Sequence, residues 1–185
     1  MAADILDMSE RKRHLAAQRG FQTWTRRFGL TFADDASLGA LPASVIRFVL
    51  PGGDESATAL YELAMGFRGL GAGLRFHFLE SRRKIAVMDL SLFLLDLFRF
   101  EAMRRLGWTH DLPSLHTPIA DLVEDFPEAF PAGASAPALR ENHPRYAEYL
   151  ETFEGDRAAF VRRLIPEAIE AFCKQENDTP DNSMQ

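Results

Sequence analysis

The stretch SRRKIAVMDLSLFLLDLFRFEAMRRLG, residues 81–107, decides the fold of this chain. Ser81 is a favourable helix N-cap and Gly107 is a typical helix stop, so the stretch predicts one helix over residues 81–106. At 1.5 Å per residue this helix is about 39 Å long. Between residues 85 and 100 apolar side chains occur on every side of the helical wheel, which is typical of a helix packed on all its faces.

The same stretch is too charged to cross a membrane. A membrane span needs roughly 20 consecutive apolar residues, whereas the longest uncharged run, from Leu90 to Leu95, has only six. Asp89, Asp96 and Arg99 would each cost about 2.5–3.5 kcal/mol at the centre of a bilayer. We therefore predict the central helix of a soluble bundle, with no membrane as partner.

Helical patterns also dominate the rest of the chain. The sequence predicts a first helix from Ser9 to Gly29 and further helices over residues 42–50 and 54–67. Shorter helices follow the central one, and Pro166 should kink or split the last of them. The number of helical segments indicates a bundle built around residues 81–106.

We therefore predict an all-α fold, a single-domain helical bundle over residues 1–174 with a disordered tail at 175–185 and a proline-rich surface loop at 127–144. An alternative is a mainly α fold with a two-stranded β-hairpin. Residues 45–50 are rich in strand formers and residues 74–79 alternate apolar and polar side chains, and an isolated strand would need this pairing to be stable.

Composition limits the classes of function. Hydrophobic residues make up 46% and charged residues 26%, as in an ordinary globular protein, while fifteen Phe against three Tyr suggest a thick core or a core plus an interface. The net charge of −6 makes nucleic-acid binding an unlikely function. Charge is nevertheless segregated, since residues 1–29 carry six Lys/Arg against three acids and residues 111–160 carry ten acids against three Arg.

A single cysteine, Cys173, excludes an intramolecular disulfide framework and any site with several cysteine ligands. The first residues lack the charged head and apolar segment of a secretory signal peptide. Both observations favour a reducing compartment, so we expect a cytoplasmic protein.

Asp89 and Asp96 are the sharpest chemical feature of the sequence. They lie seven residues apart, so both carboxylates project from the same face of the helix, and that face is otherwise apolar. A charge in such surroundings needs a partner, and Arg99 is the nearest one in sequence. More distant candidates are His77, Arg47, Arg68 and Arg75. The residues form either a structural ion pair or a polar pocket with Asp89, Asp96, Arg99 and His77 as its candidate residues.

Metal and catalytic motifs are absent from the sequence. His110, Asp111 and His116 are weak candidates for metal ligands, and their spacing matches no established ligand motif. Cys173 lies beside Phe172 on the apolar side of a predicted helix, where cysteine usually acts as a small hydrophobe. We therefore expect no metal, no cofactor and no catalytic residue.

These observations predict a non-catalytic protein that binds another protein or itself, as a homo-oligomer. The surplus of Phe, the segregated charge and the long loop support this reading. The alternative is a small-molecule-binding protein or enzyme with a polar pocket along the central helix at Asp89, Asp96 and Arg99. The sequence leaves both classes open and identifies neither a partner nor a ligand.

Overall fold

The computed structural model describes residues 8–126 and 133–175. Within these ranges the regular structure is helical, and β structure is limited to two isolated bridges. The predicted all-α fold is therefore confirmed. The helices in chain order are α1 (Met8–Gly20), α2 (Gln22–Phe28), α3 (Ala43–Val49), α4 (Asp54–Phe67), α5 (Ser81–Arg105), α6 (Ile119–Glu124), α7 (Tyr146–Glu151), α8 (Arg157–Arg163) and α9 (Ile165–Lys174).

Helix α5 is the long central element, as the sequence predicted. It packs against α3, α4 and α9. Trp24 of α2 meets the ring of Phe98 edge to face, with 5.7 Å between ring centroids. The helix stops after Arg105 because Gly107 adopts a φ of 75°, which favours glycine. Its largest fully buried side chains are Leu90, Leu94, Leu97, Phe98 and Phe100.

The hairpin alternative is wrong. Most of residues 45–50 lie in α3, where buried Val45, Ile46 and Val49 follow the spacing of a helix and not the alternation of a strand. Most of residues 74–79 lie in a 3-10 helix, Gly73–Phe78, which packs on α4. An aromatic ring of α4 stacks on this 3-10 helix and holds the helix in place. Tertiary packing therefore outweighs the strand propensity of these residues.

The predicted first helix is divided into α1 and α2 at Phe21, which is fully buried in an aromatic cluster. Before the break, α1 crosses α4 so closely that a Cβ atom on Gly66 would lie 2.7 Å from the backbone nitrogen of Gly20. The predicted end at Gly29 is confirmed by its φ of 64°. The predicted break at Pro166 is also confirmed, since α8 and α9 meet at Leu164.

The prediction that α5 is packed on every face is wrong for its first half. Ile85, Met88 and Leu92 are 59%, 45% and 48% exposed. They lie on a side of the helix that the rest of the described chain covers only in part, with α4 along one edge of it. Sequence pattern could not distinguish these positions from core positions, since both are apolar.

Two predicted segments lie partly outside the described residues, namely the loop at 127–144 and the tail at 175–185. The loop is described from residue 133 onward, where it runs as an extended segment beside the end of α5. Leu139 forms a bridge with Thr109, and both residues are buried. Arg140 donates its backbone N–H to the carbonyl oxygen of Trp108 at 2.8 Å. This part of the loop is therefore part of the packed structure.

Candidate functional site

Asp96 is the centre of a cluster of one carboxylate and two guanidinium groups, which we call the Asp96 cluster (Asp96, Arg99 and Arg162). Arg162 Nη1 donates a hydrogen bond to Asp96 Oδ2 at 2.5 Å, and Arg99 Nη1 lies 3.8 Å from Asp96 Oδ1. Arg162 also donates to the carbonyl oxygen of Ala134, and its guanidinium lies 5.6 Å from the centroid of the Phe100 ring. The cluster therefore ties α5 to α8 and to the extended segment.

The sequence identified the carboxylate of this cluster correctly but missed its main partner. Arg99 is close to Asp96, as predicted, yet the hydrogen bond comes from Arg162, which is 66 residues further along the chain. Arg162 was not among the distant candidates. No local sequence signal could have identified it, because only the tertiary structure brings α8 close to Asp96.

The other candidate residues do not join the cluster. Asp89 is half-buried, and its carboxylate has no hydrogen bond or ion pair among the described residues. His77 is exposed, and its ring contacts the ring of Phe76 edge to face at 5.8 Å between centroids. Of the four residues of the predicted pocket, Asp96 and Arg99 form an ion pair. Asp89 and His77 are not part of it.

Arg99 is the least satisfied member of the Asp96 cluster. Burial lowers its pKa, the nearby charge of Asp96 acts in the opposite direction, and the positive charge of Arg162 lowers it further. Within the described ranges its Nε atom is buried without a hydrogen-bond acceptor. A Cβ atom built on Gly52 would lie 3.8 Å from Arg99 Nη2, so the guanidinium reaches toward the loop between α3 and α4.

The weak metal candidates occupy a turn near the end of α5. His116 Nε2 lies 3.8 Å from Asp111 Oδ2, and Asp111 also pairs with Arg104 at 3.5 Å. His110 is exposed and donates its backbone N–H to the carbonyl oxygen of Ala138. In the described part of the chain, no group of three or more His, Cys, Asp or Glu side chains is arranged to hold a metal ion.

A second charged cluster at the end of α5 was not predicted. Glu101 is fully buried and accepts hydrogen bonds from Arg104 at 2.8 Å and from Arg105 at 2.5 Å. Arg105 also donates to the backbone carbonyl groups of Leu38, Gly39 and Leu41. These contacts fix the loop before α3 onto α5. Arg104 and Arg105 lie three and four residues after Glu101, and this spacing in the sequence could have predicted both ion pairs.

The exposed side of α5 carries a continuous apolar surface, which we call the α5 stripe (Ile85, Met88, Leu92 and Leu95). The first three residues are 59%, 45% and 48% exposed, and Leu95 is half-buried. Steps of three, four and three residues place all four within about 80° of the helix circumference. This alternation is the a and d spacing of a heptad repeat, which coiled coils use to pack helices together.

A cavity of about 190 Å³ opens beside the α5 stripe, between α4 and α5. Three stripe residues form one wall, and Tyr61 and Ala57 of α4 lie on the other. The Tyr61 ring stacks on Phe76 at 4.3 Å between centroids, which holds this wall in position. The stripe and the cavity together form a shallow apolar groove along α5.

Two side chains of opposite charge flank the α5 stripe. Lys84 precedes Ile85 on the side toward α4, and Asp89 follows Met88 on the opposite side. Both are half-buried, and neither has a hydrogen bond or ion pair within the described residues. Lys84 and Asp89 are therefore charged groups beside an exposed apolar surface that still lack a counter-ion.

The comparisons with protein families, with curated proteins and with solved structures gave no match for this chain. No helix in the described ranges has both the length and the apolar character that a bilayer span requires. Functional inference therefore depends on the geometry of the Asp96 cluster and of the α5 stripe.

Proposed function

We propose that this protein is a non-catalytic interaction module whose α5 stripe binds an amphipathic α-helix of a protein partner. The single observation that carries the proposal is the heptad spacing of exposed apolar residues on the longest helix of the fold. Because α5 is held in the fold by α3, α4 and α9, the groove is present without the partner, which lowers the entropic cost of association.

The chemistry of the surface fits a helix better than an extended peptide. An extended peptide needs an exposed strand edge or an aromatic-lined groove, whereas amphipathic helices recognise grooves through side chains three or four residues apart. The α5 stripe presents that spacing, and the cavity beside it offers space for one apolar anchor side chain.

The experiment that tests this proposal compares two leucines of nearly equal exposure. Leu92 on the stripe is 48% exposed and Leu150 on α7 is 49% exposed. Leu92→Glu should abolish association and Leu150→Glu should leave it intact, because only the first places a charge on the stripe. Sedimentation velocity measures self-association, and quantitative mass spectrometry of affinity-captured protein measures an identified partner whose capture depends on Leu92.

Comparison of the two variants decides whether the α5 stripe is the binding surface. Circular dichroism should show both folded, since each replaces an exposed side chain. If the wild-type protein is monomeric and no protein is captured less by Leu92→Glu than by Leu150→Glu, the proposal is wrong.

A second candidate function is the binding of a small anionic molecule near the Asp96 cluster. The buried Nε of Arg99, which has no acceptor in the described chain, favours it. Because Arg99 reaches toward Gly52, which also lines the cavity, a short aliphatic carboxylate would place its chain in the cavity and its charge at Arg99. Such acids should raise the melting temperature of wild type but not of Arg99→Leu; equal shifts would exclude this site.

A further inference from the structure

We infer that the helix bound by the α5 stripe is the α5 helix of a second copy of this chain, and that the two helices run parallel about a two-fold axis. This inference rests on the proposed function and adds the identity and direction of the partner. It follows from two properties of the surface, which are its spacing and its flanking charges.

The spacing makes the surface complementary to itself. Two parallel helices with apolar residues at a and d positions pack each a residue and each d residue beside its own symmetry mate. Ile85 and Leu92 are then a residues, while Met88 and Leu95 are d residues. A β-branched residue at a with leucine at d favours a two-stranded pair, and Ile85 and Leu95 provide this combination. A two-fold axis along the stripe uses the same patch on both copies, which is the commonest symmetry of homo-oligomers.

The flanking charges select the direction of the second helix. Lys84 holds the g position before the first a residue, and Asp89 holds the e position after the first d residue. In a parallel pair the g residue of one helix faces the e residue five positions later on the other. Lys84 of each copy then meets Asp89 of the other, so the symmetric pair contains this contact twice.

An antiparallel pair has the opposite consequence for the same charges. It brings g flanks against g flanks and e flanks against e flanks, so Lys84 cannot meet Asp89 of the other copy. With the axis at the middle of the stripe, aspartate faces aspartate and Lys84 has no counter-ion across the interface. Like charges across an interface are unfavourable, particularly when they are partly removed from water. The parallel arrangement also supplies the counter-ions that Lys84 and Asp89 lack within the described chain.

The first experiment is a charge-reversal cycle measured by sedimentation equilibrium. Lys84→Asp or Asp89→Lys alone should weaken the dimer by about tenfold or more, because each places two like-charge contacts in the interface. The double variant Lys84→Asp/Asp89→Lys should dissociate with a constant within about twofold of wild type, because the reversed pairs are again opposite in sign. A double variant that is as weak as either single variant would overturn the inferred pairing.

The second experiment tests direction by cross-linking in a Cys173→Ser background, in which the native cysteine is absent. Ile85→Cys and Leu92→Cys are oxidised separately, and a disulfide needs Cα atoms within about 7 Å. A parallel pair joins both variants to their own copies. An antiparallel pair joins a residue to itself only at the axis, so at most one variant would cross-link. Ala159→Cys, at an exposed position on α8, is the control for random collision.

The outcomes separate this inference from the proposed function. If Leu92→Glu abolishes the dimer but the charge cycle and the cross-links fail, the stripe binds a second copy in another direction. If the wild type is a monomer and Leu92→Glu loses an identified partner, the stripe binds a different protein and self-association is wrong. If Leu92→Glu changes neither measurement, the proposed function itself fails.

Discussion

Asp96→Ala should destabilise the folded protein far more than Asp89→Ala, although the two aspartates lie two turns apart on the same face of α5. Asp96 pairs with Arg162 and Arg99, whereas Asp89 has no partner within the described residues. The comparison is best made at a protein concentration low enough for the chain to be monomeric, so that loss of the inferred contact between copies does not contribute to the difference.

The magnitude follows from the exposure of the groups left behind. The side chains of Arg162 and Arg99 remain 36% and 26% exposed. The free-energy cost of removing Asp96 should therefore lie between the cost for a buried ion pair and the cost for a surface ion pair. Removing one partner of a buried pair costs about 3–5 kcal/mol and of a surface pair about 0–1 kcal/mol. We therefore expect Asp96→Ala to lower the free energy of unfolding by about 2–3 kcal/mol.

The assay is urea unfolding followed by circular dichroism. Asp96→Ala should lower the midpoint without changing the m-value, and its melting temperature should fall by about 4–12 °C for a chain of this length. Asp89→Ala should stay within about 0.5 kcal/mol of its parent. A double-mutant cycle with Arg162→Ala should give a coupling energy of about 1–3 kcal/mol. Equal losses for the two aspartates, or zero coupling, would refute a structural role for Asp96.

Three further predictions concern other buried groups of the fold. Glu101→Ala leaves two guanidinium groups without their buried acceptor and should cost about 3–5 kcal/mol in urea unfolding, whereas a loss below about 1 kcal/mol would contradict the assigned contacts. Gly66→Ala should lower the melting temperature, since its Cβ atom would meet the backbone of Gly20 in α1; an unchanged value would show that α1 can shift. Burial, and then the charge of Arg145, lower the pKa of His143, so the folded state disfavours its protonation. The associated stability is present above the ordinary histidine pKa of about 6.5 and is lost as pH falls below it toward the folded-state pKa; His143→Gln should reduce this loss, and an identical pH profile would contradict it.

The sequence predicted elements whose signals are local. The extent of α5 was predicted closely from Ser81 and Gly107, although Ser81 is the first helical residue and Glu80, not Ser81, holds the N-cap position. The break before α9 followed from Pro166. Each depends on the backbone preferences of one or two residues, which act in the same way in most folds. The break at Phe21 was missed because it results from burial of that ring among side chains of distant segments.

The candidate site was only partly predictable for the same reason. Asp96 and Arg99 are three residues apart on one helix, so their proximity follows from helix geometry. Arg162 approaches Asp96 only when α8 packs beside α5, and the backbone carbonyl groups that bind Arg105 belong to a loop before α3. Side-chain pairs between remote segments have no periodic signal in a single sequence.

By itself the sequence determined that this chain forms helices around a long apolar one, because hydrophobic spacing and helix-ending residues act over a few neighbouring positions. Only the tertiary structure decided which apolar side of α5 is buried and which is exposed. Ile85 and Leu92 resemble the core residues Leu90 and Leu94 in chemistry. They differ only in what packs against them, and packing depends on where the other helices lie in space.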